Sequence, residues 1–91
     1  MKELLSEKAL EEISRRCDSA TPGPWISFVE GRDHQSGSNF IRTSSKTGVR
    51  GDDIELIGAT VADQEFIAHC REDVPLLLSE VRRLRMMVEA S

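Results

Sequence analysis

Residues 19–25 read SATPGPW, and this stretch divides the chain into a helical part before it and an extended part after it. Proline has no amide hydrogen to donate, and a residue that precedes proline is kept out of the helical region. Because Pro22 and Pro24 flank Gly23, a helix that approaches this stretch must end before Thr21. The stretch therefore predicts a sharp change from helix to strand.

The segment before this stretch has the pattern of an amphipathic helix. Apolar residues recur on one face at helical spacing, at Ala9, Leu10, Ile13 and Cys17. Ser6 is a candidate N-cap, since its hydroxyl can accept a hydrogen bond from an amide of the first turn. We therefore predict an N-terminal helix that begins directly after Ser6.

The segment after the stretch predicts a small antiparallel sheet. Alternating, aromatic and β-branched residues indicate strands over residues 25–30, 39–43 and 54–61. Polar loops that contain glycine separate these strands at residues 31–38 and 44–53. Gly58 interrupts the third predicted strand and indicates a β-bulge there.

The remaining residues predict two helices. Asp63 is a candidate cap for a short helix with Phe66 and Ile67, and Asp73 for a longer helix with Pro75 in its first turn. The predicted element order is α-β-β-β-α-α. This order is typical of an α+β fold in which helices cover one face of a three-stranded sheet. The length fits a single domain of residues 1–91.

The last predicted helix carries an apolar stripe at the 3-4-3-4 spacing of heptad positions a and d. The stripe consists of Val74, Leu77, Val81, Leu84 and Val88. One interpretation is that it packs on the sheet of its own chain. The other is that Val81, Leu84 and Val88 pair with another helix and form a homodimer, because small domains often gain stability by association.

Composition and charge narrow the function classes. The chain has 12 Lys and Arg against 16 Asp and Glu, a net charge of -4, which argues against general binding to nucleic acid or to an anionic membrane. No run approaches the roughly 20 apolar residues of a membrane span, and the N-terminus lacks the apolar core of a secretory signal. We expect a cytoplasmic protein. Asp52, Asp53 and Glu55 are candidate contacts for a basic protein partner.

The residues that usually carry chemistry do not form a recognisable site. Cys17 and Cys70 are far apart and match no paired metal-ligand spacing. Asp33 and His34 are adjacent, and they become an acid-base pair only if the fold brings a nucleophile such as Ser36 to them. We therefore expect no catalytic residue, no bound metal and no cofactor.

The opening stretch also resembles the ATPGPW element of small phage and prophage proteins of unknown function, the Ead-type proteins. Residues 62–69 (ADQEFIAH) and 73–78 (DVPLLL) are similar to the C-terminal segments of those proteins. The resemblance covers roughly residues 5–30 and 60–85 and implies an accessory protein of a phage or mobile element. It implies no catalytic residue and no cofactor.

The signature residues themselves suggest a structural role. They are Thr21, Pro22, Gly23, Pro24, Trp25, Phe66 and Ile67. The prolines set the angle between the first helix and the first strand, and Trp25 offers a large apolar anchor that Phe66 and Ile67 would meet from the other end of the fold.

Three functional hypotheses follow. The first is a non-enzymatic module that binds a protein, for example an immunity or antitoxin-type inhibitor whose Asp52, Asp53 and Glu55 face a basic toxin site. The second is a homodimeric structural or assembly protein that pairs through its last helix. The third is a small regulator associated with nucleic acid, for which the contacts would be Arg82, Arg83 and Arg85.

Overall fold

A computed structural model describes residues 5–90 as two helices and one sheet. The elements in chain order are α1 (Glu7–Ser19), β1 (Ile26–Phe28), β2 (Phe40–Ser44), β3 (Arg50–Glu55) and α2 (Val61–Ala90). The chain divides into two compact units. One contains α1 and the part of α2 from Asp73 onward, and the other is Thr21–Glu72. The α+β class is confirmed.

Helix α1 has the limits that its sequence predicts. The Oγ atom of Ser6 accepts a hydrogen bond from the amide of Ala9 at 3.0 Å, so Ser6 is the N-cap. At the other end, the amide of Ala20 donates to the carbonyl of Arg16 at 3.1 Å. Leu10, on the predicted apolar face, is buried.

The sheet has the strand order β1-β2-β3, and both pairings are antiparallel. Ile41 pairs with Ser27 on one side and Ile54 on the other, and Phe40 pairs with Phe28 and Glu55. Because side chains of directly paired residues lie on the same face, the two faces differ sharply. Ile41 is fully buried on one face, and Phe40 lies on the other.

The prediction for the third strand was wrong. The strand covers Arg50–Glu55, so it begins within the segment predicted to be a loop and shares only residues 54 and 55 with the predicted strand 54–61. A tight turn allows this early start, since the amide of Ser45 donates to the carbonyl of Val49 at 2.8 Å. The polar residues are tolerated because β3 is an edge strand with solvent along its outer side.

The predicted bulge at Gly58 was also wrong. Gly58 has a φ of 86° and lies after the end of β3, in the connection to α2. The irregularity in the sheet is a register shift between Arg42 and Ser44, close to Gly51 of the neighbouring strand. The sequence pattern identified a glycine with a special conformation but placed it in the wrong element.

The two predicted C-terminal helices form one continuous helix, so the order is α-β-β-β-α. Helix α2 has 30 residues and contains Pro75 in its interior. The N-cap role belongs to Thr60, whose Oγ1 accepts from the amide of Asp63 while Asp63 Oδ2 accepts from the amide of Thr60, each at 3.0 Å. Good helix-forming residues follow Pro75, and one lost hydrogen bond does not end the helix.

A buried glutamine joins α2 to the sheet within Thr21–Glu72. Gln64 is 1% exposed, and its Nε2 group lies 2.8 Å from Ser27 Oγ and 3.1 Å from the carbonyls of Phe28 and Phe40. These acceptors belong to two adjacent strands. The amide therefore fixes the helix over one specific position of the β1-β2 pair.

Candidate functional site

The SATPGPW stretch is held by backbone contacts to the end of β2. The amide of Ser44 donates to the carbonyl of Pro22 at 3.1 Å, and the Ser44 hydroxyl donates to the carbonyl of Pro24 at 3.2 Å. The indole of Trp25 donates to the carbonyl of Thr21 at 3.0 Å. These bonds hold residues 21–25 in place beside the end of β2.

Gly23 lies close to the side chains of Arg71 and Glu72 in helix α2. A Cβ atom at this position would lie 2.5 Å from Glu72 Oε1 and 3.1 Å from Arg71 Cγ. The peptide bond between Gly23 and Pro24 is cis. The signature residues therefore form a closely packed turn, whereas Phe66, which was expected to meet Trp25, exposes 72% of its surface.

The face of the sheet opposite Gln64 carries a cluster of aromatic and cationic side chains. The Phe28 and Phe40 rings stack with centroids 5.1 Å apart, and the guanidinium of Arg42 lies 4.5 Å from the Phe28 centroid. The ring of His34 lies 4.9 Å from that of Phe40. Sequence reasoning missed this cluster. The available signal was the alternation that places Phe28 and Phe40 away from the buried face.

The loop before β2 does bring Ser36 to His34. Nδ1 of His34 accepts from the amide of Ser36 at 3.1 Å and lies 2.6 Å from its hydroxyl and 3.4 Å from a Glu30 carboxylate oxygen. A Ser-His-acid triad instead has the hydroxyl and the carboxylate on different ring nitrogens. Here His34 Nε2 is buried without a hydrogen-bond partner among residues 5–90. The contacts around Nδ1 therefore order the loop.

Asp33 also stabilises this loop through hydrogen bonds. Its Oδ2 accepts hydrogen bonds from the Arg32 guanidinium at 2.7 Å and from the amide of Val29 at 2.8 Å. These hydrogen bonds lower the pKa of Asp33 below its ordinary value, and the bond from Arg32 contributes more than the bond from Val29. Arg32 also reaches Glu65 of α2 at 2.6 Å, so an ion-pair network ties the loop to the helix.

The three acidic residues predicted to bind a partner all lie exposed on β3, but they do not form one patch. Asp53 is 2.8 Å from Arg50 and 3.8 Å from Arg42, so its charge is balanced locally. Because side chains alternate along a strand, Glu55 lies on the same face as Asp53 and Asp52 lies on the opposite one.

The apolar stripe of the last helix is largely uncovered. Leu77, Leu84 and Val88 expose 64%, 47% and 75% of their surfaces, and Val81 is half-buried at the inner margin. We call these four residues the α2 stripe. Leu78, one position from Leu77, is buried. Part of the apolar surface of α2 thus belongs to the core, and three of the four residues of the α2 stripe are exposed to solvent.

Charged residues flank the α2 stripe, and most of the local arginines already have partners. Arg83 forms an ion pair with Glu80, which lowers the pKa of that carboxyl. Arg85 lies 3.1 Å from Glu7 and donates to the carbonyl of Leu5 at 2.6 Å. Two of the three arginines considered for nucleic-acid contact are therefore engaged with other groups of the chain.

Within residues 5–90 no three His, Cys, Asp or Glu side chains are grouped as a metal site would require, and no helix has the length and apolarity of a membrane span. No protein-family model matches the chain, and comparison with curated proteins and with solved structures gives no match.

Proposed function

We propose that this chain is a non-enzymatic protein-binding module, of the phage or mobile-element kind that its sequence resembles, and that it binds through the α2 stripe. The observation that carries the proposal is the exposure of Leu77, Leu84 and Val88 along one side of a formed helix. Contiguous apolar surface with charged side chains at its edges is typical of protein interaction sites.

Burial of the α2 stripe by a partner would lower the free energy of the complex. Full burial of a leucine or valine side chain contributes roughly 1.5 to 3 kcal/mol. Because Leu77, Leu84 and Val88 are 64%, 47% and 75% exposed, burial of their exposed parts contributes at most about two such increments to binding. The helix is already formed, so association does not have to supply the free energy of helix nucleation.

The test compares two aspartate variants on opposite sides of α2. Leu84→Asp places a charge in the α2 stripe, and Met86→Asp places it about 200° around the helix at a residue that is also exposed. A tagged chain is purified from its native cell, and the mass of the complex is measured by light scattering. We expect Leu84→Asp to lose the stoichiometric protein partner and Met86→Asp to retain it. Equal retention by both variants would contradict the proposal.

A second candidate is the inhibitor function, in which a basic partner contacts acidic side chains on both faces of the edge strand β3. Exposed Asp52 and Glu55 support it, since neither is drawn into the ion pairs that surround Asp53. Reversing both charges, in Asp52→Lys with Glu55→Lys, should slow association with the purified partner and weaken its salt dependence. An unchanged association rate would show that β3 is not the docking strand.

A further inference from the structure

We propose that the partner of the α2 stripe is a second copy of this chain, and that the two α2 helices run parallel with Glu80 of one copy beside Arg85 of the other. This inference rests on the proposed function, since it names the partner of the same surface. It depends on self-complementary charge on the two flanks of the α2 stripe.

The heptad positions define this complementarity. With Val81 and Val88 at a and Leu77 and Leu84 at d, Glu80 falls at g and Arg85 at the following e. In a parallel pair of helices, each g residue lies near the e residue five positions later in the other helix. A parallel dimer therefore forms two equivalent Glu80-Arg85 pairs, one on each side of the apolar seam.

An antiparallel pair lacks this match. It places the Glu80 sides of the two helices together and the Arg85 sides together, so neither charge meets its opposite. The same charges therefore select one orientation as well as a partner. This selection is the usual role of flanking e and g residues.

The surrounding contacts are compatible with the parallel arrangement. Glu80 is an exposed residue whose present partner is Arg83, three residues along the same helix. Arg85 is held at the flank by Glu7 and by the carbonyl of Leu5. A guanidinium has five N–H donors, so Arg85 can keep these bonds and still meet a second carboxylate.

The first experiment determines mass and orientation together. In a background with Cys17→Ser and Cys70→Ser, Leu84→Cys places equivalent thiols face to face in a parallel dimer. We expect a disulfide-linked dimer under mild oxidation, and none for Met86→Cys, which lies off the seam. Light scattering of the wild-type chain from about 10 μM to about 1 mM should show a rise toward twice the monomer mass.

The second experiment tests the charge pair. Glu80→Lys should weaken the dimer about 3- to 10-fold, and adding Arg85→Glu should restore it to within about 2-fold of the wild type. Glu89→Lys, the same charge change off the seam, should have no effect. Circular dichroism of each variant at a concentration where it is monomeric checks that the fold is retained.

The outcomes separate this inference from the proposed function. A wild-type chain that stays monomeric, or a disulfide that forms only between mixed Leu77→Cys and Val88→Cys chains, would overturn the parallel dimer. If the chain is monomeric while Leu84→Asp still removes a heterologous partner, the binding function stands and the second copy does not. If Leu84→Asp changes neither mass nor partner, both proposals fail.

Discussion

Gly51 marks the point where β2 and β3 approach too closely for a side chain. A Cβ atom there would lie 2.7 Å from Thr43 Oγ1 and 2.8 Å from the carbonyl carbon and oxygen of Ser44. Two of these three atoms are backbone and cannot move without disturbing the sheet. At Gly23 the obstructing atoms belong instead to the flexible side chains of Glu72 and Arg71.

This difference gives a matched pair of alanine variants. We expect Gly51→Ala to lower the free energy of unfolding by about 1 to 3 kcal/mol, because the sheet must shift to admit the methyl group. Gly23→Ala should lower it by less than about 1 kcal/mol, because the Glu72 carboxylate can rotate away. Urea unfolding measures both values, and a larger loss for Gly23→Ala would contradict this account.

Asp33 is the residue from which a pH dependence is expected. The hydrogen bonds from Arg32 and from the Val29 amide lower its pKa in the folded chain. The resulting stabilisation is present above the ordinary aspartate pKa of about 4 and is lost as pH falls through the lowered value. Asp33→Asn should therefore make the loss of stability as pH falls below about 4 less steep. Thermal unfolding at a series of pH values measures this loss of stability, and Asp18→Asn, at an exposed position, is the control. Equal pH dependence in the two variants would argue against a stabilising role for the Asp33 carboxylate.

Helix α2 continues through Pro75, although proline usually ends or kinks a helix. Pro75 cannot donate a hydrogen bond to the carbonyl of Arg71, four residues earlier, yet the helix is continuous from Val61 to Ala90. The reciprocal bonds between Thr60 and Asp63 fix where it begins. Pro75 therefore lowers the stability of the helix without ending it.

Removing this proline should stabilise the chain. We expect Pro75→Ala to raise the free energy of unfolding by about 1 to 3 kcal/mol, because it restores the missing bond and removes the clash with the preceding turn. Ser79→Ala, an exposed change one turn later, should raise it by less than about 1 kcal/mol. Denaturant unfolding followed by circular dichroism gives both numbers. A loss of stability in Pro75→Ala would mean that the proline is needed for packing.

The link between α2 and the sheet depends on Gln64. Gln64→Leu keeps the size of the side chain but removes the donor that serves Ser27 and the carbonyls of Phe28 and Phe40. We expect a loss of about 1 to 3 kcal/mol, because buried acceptors are left unpaired. Gln35→Leu, in an exposed loop, is the control and should change stability little. Equal effects in urea unfolding would show that these bonds contribute nothing specific.

The small size of the whole molecule limits the surface that it can bury on folding and therefore its stability. A chain of 91 residues buries roughly two thirds of the surface that it exposes when unfolded, and its stability margin is correspondingly small. Within the described part of the chain, the α2 stripe adds apolar surface that the fold does not cover. Association is one way in which a small domain gains stability, because a partner that binds only the folded state favours folding.

Self-association through the α2 stripe predicts a melting temperature that depends on the concentration of the chain. If the α2 stripe is buried by a second copy, the melting temperature should rise by several degrees as chain concentration increases about 100-fold, because only the folded state associates. Leu84→Asp should show no such rise, whereas Met86→Asp should behave as the wild type does. Scanning calorimetry measures the effect, and a flat wild-type response would argue against self-association.

Much of the fold was predictable where neighbouring residues determine the conformation. The start of α1 depends on the N-cap Ser6, and its end depends on Pro22 and Pro24, a few residues after Ser19. Strands β1 and β2 follow from alternation and from β-branched and aromatic content. Periodicity states which residues share a face and not what covers them, so the sequence left both interpretations of the stripe open, and the structure leaves Leu84 and Val88 exposed.

The sequence by itself determined the α+β class, the helix stop at SATPGPW and the shared face of the α2 stripe, because each depends on contacts within a few residues. Tertiary structure decided the rest. Arg50–Glu55 is a strand because β2 offers it hydrogen bonds, and Arg42 of β2 lies 3.8 Å from Asp53 because the strand register pairs these two residues. Gln64 is buried because Ser27 and two carbonyls meet it there. Such partners are distant in sequence, and local pattern carries no information about them.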